Sequence, residues 1–242
     1  MKALDEVLPA AERDRIRSEV LGRGGWYSPW LHLGVTSSVG LGVMTAAALL
    51  LQGVKWWHVG FGVLLFILSN ATEWRVHRDF LHKRQKLGAV LYDRHTPEHH
   101  MIFITDDMAI RSTREFRLVL LPAFAIILIF VSLLPVMAMI WFGWPFQLLT
   151  NADQHNLAAI FALETMGYVV VYEWLHLSYH LPEESFVGRL RFVRWLKQTH
   201  AIHHDPRLMQ KWNFNVSLPL WDLLRGTYVR TRERILARPV RP

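Results

Sequence analysis

Leu157-Ala-Ala-Ile-Phe-Ala-Leu-Glu164-Thr-Met-Gly-Tyr-Val-Val-Val-Tyr172-Glu173-Trp-Leu-His176-Leu-Ser-Tyr-His180 runs from an apolar segment straight into a pair of histidines. Its apolar part, Leu157 to Leu175, reads as a bilayer-crossing helix, for which about 20 apolar residues span a hydrocarbon core roughly 30 Å thick. Tyr172, His176 and His180 fall at i, i+4 and i+8, so one helix face carries all three. Two imidazoles on successive turns of one face can share a metal ion. The stretch therefore predicts a membrane helix that ends in metal ligands. Glu164 lies mid-span, where a charge costs about 2.5–3.5 kcal/mol on the insertion scale, so it either lines a cavity or pairs with another helix.

Three further apolar runs extend this reading. Leu31–Leu51 is uncharged apart from His32 at its edge, and Leu118–Phe142 is a second long run, with Pro122 and Pro135 placed to kink or split it. Trp57–Ala71 is shorter and continues toward histidines; from Trp57 to His82 a continuous helix would be about 39 Å long, more than the hydrocarbon core. Of the 27 Lys and Arg residues, Lys55 alone falls in a connection assigned to the far side; the rest lie in 1–28, 72–117 and 181–242. That asymmetry places both termini and both long connections in the cytosol. Trp26 and Trp30 mark one interface, and Trp56, Trp57, Trp141 and Trp144 the other.

The expected fold is an all-α integral membrane protein of about four transmembrane helices with a cytosolic, histidine-rich helical cap. Residues 1–242 form one membrane-embedded domain, with 1–28 as a cytosolic N-terminal segment and 181–242 as the cytosolic C-terminal part of the cap. Residues 8–22 are read as a short amphipathic helix ending at Gly22, either on the membrane surface or solvated. The net charge of +7 is explained by topology and attraction to anionic lipid, and no nucleic-acid partner is expected. No cysteine is present, which excludes disulfides, thiolate zinc sites and iron–sulfur clusters. The first 25 residues lack an apolar h-region, so no cleavable signal is expected. The excess of arginine over lysine favours a bacterial inner membrane; in a eukaryote the membrane would be that of the endoplasmic reticulum.

Ten of the 13 histidines fall in four clusters: His77 and His82; His95, His99 and His100; His176 and His180; His200, His203 and His204. All four land on the cytosolic side of the span assignment, although it was made without them. His176 with His180, and His200 with His203 or His204, can each serve one ion from one face. The adjacent pairs His99-His100 and His203-His204 diverge by about 100° on a helix and suit two neighbouring ions. His77 and His82, five apart, match one face poorly and also fit a two-ion site. Thr96 before Pro97 resembles an N-cap with proline at the first helical position, leaving His95 just outside. Ten imidazoles exceed the needs of one ion, so two metals are expected. His32, His58 and His155 have no histidine neighbour at ligand spacing and are read as non-ligands.

Groups that accept the outer ring N–H would orient the ligands; the candidates are Glu73, Glu173, Asp205 and Asp222, with Tyr172 one turn before His176. Nitrogen-only sites accept zinc, copper, nickel or iron. Dioxygen chemistry on lipid C–H bonds would select iron, because zinc has no redox chemistry. Only Glu173-Trp-Leu-His176 matches the Glu-x-x-His motif that soluble di-iron bundles carry twice, and His-Glu-x-x-His is absent. A haem electron carrier would need ligands inside the spans, and a metal transporter a site near mid-membrane.

The series H-x4-H, H-x3-H-H, H-x3-H, H-x2-H-H resembles the fatty acid hydroxylase/sterol desaturase superfamily, most of all its fatty acid 2-hydroxylase branch. The similarity covers about residues 60 to 230 and includes Glu173-Trp-Leu-His176, Asn213-Phe-Asn, Trp221-Asp222 and Gly226-Thr227. The resemblance implies a di-iron centre, able to hold zinc as purified, that hydroxylates a membrane lipid with O2, with an acyl chain as the first expectation and a sterol or carotenoid as the second. It implies the ten clustered histidines as ligands and Tyr172, Glu173, Asn213 and Asp222 as near-site residues. The sequence lacks the His-Pro-Gly-Gly signature of a fused cytochrome b5 domain, so a separate donor such as cytochrome b5 or a ferredoxin is expected. The second cluster has one residue more than the commoner H-x2-H-H form, a departure from the family pattern.

Overall fold

Helix limits follow local chemistry. Ser28 caps the first long apolar helix by accepting from Leu31 N at 3.2 Å, and Pro29 takes the first helical position. In the computed structural model, which describes residues 7–23, 25–86, 88–144 and 149–232, eight helices of six or more residues occur among the described residues. They are α1 (Ala10–Gly22), α2 (Pro29–Leu49), α3 (Trp56–Val76), α4 (Ala89–Arg94), α5 (Ala125–Trp141), α6 (Asn151–Tyr179), α7 (Arg191–His203) and α8 (Leu220–Arg225). No strand is present among those residues; one isolated antiparallel bridge joins Ile104 to Asp107. Residues 1–6 and 233–242, the outer parts of the two expected cytosolic segments, lie outside the described residues.

The chain divides into two units. One comprises residues 28–69 and 120–174 and contains most of the apolar helices. Here Ala47, Ala159 and Ala162 form one buried cluster, and Ile126, Met166 and Val170 another. Gly40 lets α2 approach α6 closely, because a Cβ there would overlap the Val170 side chain. An apolar cavity of about 450 Å³ is lined by Val43, Ala47, Phe130, Leu134, Met137 and Ala158, among others.

Among the described residues, two helices, α2 and α6, are long and apolar enough to cross a membrane. Only 22% and 33% of their apolar windows are buried, whereas a core helix of a water-soluble protein would be mostly covered. The surplus apolar surface continues on neighbouring helices, through Val59, Val63, Leu64 and Leu68 of α3 and Leu128 and Val131 of α5. Helix α3 has the length but carries His58, Asn70, Glu73 and Arg75. Helix α5 has 17 residues, about 25 Å, and is short for the core. The expected run from Leu118 to Phe142 is split at Pro122, one of the two places foreseen for a break: helix stops at Val119 and resumes at Ala125. Pro122 lacks an N–H and its ring would strike the carbonyl four residues back, and the exposed Leu121 N–H is taken by the Glu173 carboxylate at 3.1 and 3.3 Å. Pro135 stays within α5.

The other unit comprises residues 1–27, 70–119 and 175–242. The amphipathic expectation for residues 8–22 is also corrected. The covered side of α1 is largely ionic: Arg13 pairs with Asp107 at 2.7 Å and Arg17 with Glu115 at 3.4 Å. It packs against protein partners rather than presenting an apolar stripe to lipid.

Candidate metal centre

The ten clustered histidines are all buried in the second unit and sort into two groups of five. His77, His82, His95, His100 and His203 form the first group; His99, His176, His180, His200 and His204 form the second. Within each, one nitrogen per ring lies within 4.8 Å of all the others. As their divergence on a helix requires, the neighbours His99 and His100 serve different groups, and so do His203 and His204. The groups adjoin: His100 and His204 stack with centroids 4.1 Å apart. None of His32, His58 and His155 belongs to either. His32 Nε2 bonds Leu121 O at 2.7 Å, His58 Nδ1 accepts from Lys55 N at 3.0 Å, and His155 stacks on Trp141 with centroids 3.8 Å apart.

Spacing and helix type are matched. The five-residue spacings, 77/82 and 95/100, both belong to the first group, and each is closed by a π-helical turn, His77–Leu81 and His95–His99. His82 N bonds His77 O and His100 N bonds His95 O, so the i→i+5 pattern brings residues five apart onto one face. This corrects the reading that His77 and His82 match one helix face poorly. It also corrects the N-cap at Thr96: Pro97 sits inside the second π turn, and Thr96 Oγ1 donates to Leu81 O at 2.6 Å. The four-residue spacings, 176/180 and 200/204, belong to the second group and are presented by α6 and α7 with the residue that follows each.

Main-chain carbonyls fix the rings. The Nδ1 of His77 donates to Phe214 O, and those of His99, His180, His203 and His204 donate to Leu118 O (2.9 Å), Met108 O (2.8 Å), Trp212 O (2.8 Å) and Phe103 O (2.7 Å). His176 bonds the backbone of Val119. A ring that gives its Nδ1 proton outward presents a bare Nε2 lone pair inward. His77 Nε2 lies 3.0 Å from His203 Nε2, and both rings have spent their proton on a carbonyl. Two lone pairs at that separation repel, and a cation between them turns the contact favourable. His180 Nε2 is buried with no protein partner. Burial pushes the His77 pKa down to about 4 and holds His82, His95, His99, His100, His180, His200, His203 and His204 well below the usual imidazole value, leaving the neutral, metal-binding form.

The donor spacing fits a metal. With metal–nitrogen bonds of about 2.1 Å, ligands at right angles place their nitrogens about 3.0 Å apart, and tetrahedral ligands about 3.4 Å. Nε2 pairs here lie at 2.9–3.2 Å. These seven pairs are the closest ones, and all five donors of each group lie within 4.8 Å of one another, around one position in each group.

Of the expected near-site residues, Asp222 is bonded to the segment that carries an imidazole acceptor. Asp222, fully buried, accepts from Phe214 N (3.1 Å), Asn215 N (2.7 Å), Trp74 Nε1 (3.1 Å) and Thr227 Oγ1 (2.6 Å). It thereby holds the segment whose Phe214 carbonyl receives His77; burial pushes its carboxyl up while these donors oppose the shift. Glu73 grips the same segment through Val216 N, Ser217 N and the Ser217 hydroxyl. Asn213 adopts φ 56°, a left-handed conformation that Asn tolerates. Its amide clamps Thr199 O (3.0 Å) and Val229 O (2.9 Å) and receives Val229 N (2.7 Å). Asp205 pairs with Arg207 at 2.8 Å and Arg232 at 2.7 Å. Glu173 holds Leu121, and Tyr172 is half-buried; both belong to the unit of apolar helices. Sequence reading missed Asn70, Trp74 and Asn215. Asn70 receives Trp221 N at 2.8 Å and donates to Leu218 O at 2.8 Å. Their signal was a polar line, Asn70, Glu73, Trp74 and His77, at helical spacing in an apolar stretch.

A sequence model described as fatty acid hydroxylase matches residues 62–227, a span that contains all ten histidines. No curated protein and no solved structure matches the chain. Two buried five-histidine groups within a match that covers most of the sequence show that this chain belongs to the fatty acid hydroxylase family.

Proposed function

We propose that the protein is a membrane-bound non-haem di-iron oxygenase that hydroxylates an acyl chain of a membrane lipid, in the manner of the 2-hydroxylase branch. The observation that carries this reading is the pair of buried five-imidazole groups in a member of this family. Their Nε2 atoms stand about 3 Å apart on several sides, which leaves no free plane for a porphyrin. The reaction consumes R–H, O2, two electrons and two protons and yields R–OH and water. When bound, the iron pair would supply dioxygen activation and the power to oxidise an unactivated C–H bond.

The chain's own residues do the rest. The ten imidazoles would hold the ions, main-chain carbonyls take the Nδ1 protons of His77, His99, His180, His203 and His204 and so leave their Nε2 atoms bare, and burial keeps bulk water from the rings. Asp222, Glu73 and Asn213 fix the 213–217 segment, while Glu173 fixes the broken chain at Leu121, two residues after Val119. Tyr172 is assigned a place beside the substrate. In this reading α2, α3, α5 and α6 cross a bacterial inner membrane, with both termini and the histidine groups in the cytosol. Exposed apolar helix faces would admit the acyl chain laterally, and holding one carbon near the ions would set the position of hydroxylation.

His204→Ala tests the assignment. The variant is expected to stay in the membrane, lose metal and form no hydroxylated lipid, as read by metal analysis and lipidomics of host membranes. Hydroxylation retained in the variant, or bound metal without oxygen uptake in the native protein, overturns it. A sterol or carotenoid product overturns the acyl assignment alone.

A further inference from the structure

One line of aromatic rings leads from the first histidine group to the surface. Phe214 is buried and lies against three imidazoles of that group, with centroid distances of 6.0 Å to His77, 6.1 Å to His82 and 5.7 Å to His203. Trp74, 3% exposed, meets Phe214 edge-on at 5.8 Å and 83°. These separations lie within the range of direct ring contact. Above the indole are two guanidinium groups, Arg78 at 4.3 Å and Arg225 at 5.5 Å from the ring centroid. The second group also meets a buried ring, Phe103, at 5.4 Å from His99 and 4.6 Å from His180, but the guanidinium over that ring, Arg17, is itself buried.

The surface over Trp74 is basic with an apolar spot. Arg75 and Lys83 are exposed beside Arg78, and the three surround a single carboxylate, Asp79, which bonds them all. Arg225 is exposed and adjoins Leu223 and Leu224, at 58% and 64% exposure. A positive rim around exposed leucines is the complement of an acidic protein surface. Arg78 and Arg225 could serve indole packing alone, since cation–π pairs are common. That role does not account for a ring relay that continues to three metal-ligand candidates.

We propose that a small acidic electron-transfer protein docks on the face formed by Arg75, Arg78, Arg225, Leu223 and Leu224, and that Trp74 and Phe214 carry its electrons to the first histidine group. The proposal rests on the di-iron reading above and names the surface and the route for its reductant. In each encounter the donor is oxidised by one electron and the metal pair is reduced by one, so two encounters supply one hydroxylation. The two rings bridge the gap without being oxidised, and the protons come from solvent.

The test uses the full-length, detergent-purified protein with a reduced [2Fe–2S] ferredoxin as probe. Metal-free Arg225→Glu is expected to bind ferredoxin about tenfold more weakly than metal-free native protein at low salt, with the difference lost at high salt. In iron-loaded protein, Trp74→Leu and Trp74→Phe both remove the indole N–H that Asp222 accepts, so rates are taken per bound iron; Trp74→Leu is expected to slow reduction by saturating ferredoxin severalfold more than it slows reduction by dithionite. Trp74→Phe, which keeps a ring, should recover most of the rate. Native binding and rates in Arg225→Glu and Trp74→Leu overturn the proposal. If Trp74→Leu fails to fold, Arg225→Glu and Trp74→Phe still decide it, because a phenylalanine variant as slow as a misassembled site rejects the ring route. If native protein holds no reducible iron with either reductant, the di-iron reading itself fails.

Discussion

Asp222 shows how a residue that touches no ligand can govern one. Its carboxylate gathers four donors, two of them the backbone N–H groups of Phe214 and Asn215, and so sets the Phe214 carbonyl that receives His77. Asp222→Asn puts an NH2 where an oxygen accepts, leaving buried donors unmet at about 1–3 kcal/mol. The expected result is a lower melting temperature and reduced metal at the first group, measured by thermal denaturation and metal analysis. Acid sensitivity is a second consequence at this scale. An imidazole titrates near 6.5 when unfolded, and His77 near 4 when folded without metal. Between those values the unfolded chain binds more protons, so the stability of metal-free protein is full above about pH 6.5 and falls as pH drops toward 4. Bound metal competes with the same protons, so its loss should follow the same direction. Denaturant titrations of metal-free protein at pH 7.5 and 5 check this, and equal stabilities would contradict it. Imidazole clusters made the candidate ligands legible in the sequence. Their acceptors at Phe103, Met108, Leu118, Trp212 and Phe214 were not, because a main-chain carbonyl leaves no mark on residue type.

At the level of elements, the two π turns carry the first histidine group. At 100° per residue, a five-residue spacing turns about 140° off the face of an α-helix, which is why His77 and His82 read as badly matched. The i→i+5 closure absorbs the extra residue. Inserting an alanine after Phe80 makes the spacing six, which neither an α nor a π turn brings onto one face, and should pull His82 out of the group. Metal analysis should then fall from two ions per chain toward one, and two tightly held ions in the insertion variant would refute the role given to the turn. The regular spacings at 176/180 and 200/204 were legible because α6 and α7 are ordinary α-helices. Pro122 was legible as a breaker, but not the carboxylate that takes up the freed N–H. Glu173 stands 52 positions away, and no local pattern connects them.

For the whole molecule, apolar runs in the sequence announced the helices, but not the number of crossings. Asn70 and Glu73 make α3 look less like a span because they serve the 213–222 scaffold. A local hydropathy reading counts them against the membrane without seeing their partners. Lys55, the base assigned to the far side, bonds Asp153 at 2.8 Å, so its charge is paired. With no native cysteine, single substitutions report topology without background. In intact cells, Gln52→Cys is expected to react with an impermeant maleimide and Ser112→Cys only after lysis; the reverse pattern would invert the proposed orientation. The carbonyl braces on the imidazoles also bear on attempts to rebuild such a centre. A peptide oxygen survives any change of amino acid at its position, so these supports can drift in sequence without loosening the rings. Grafting ten histidines onto a generic helical bundle would copy the visible parts and leave out the path of the chain that keeps them aimed.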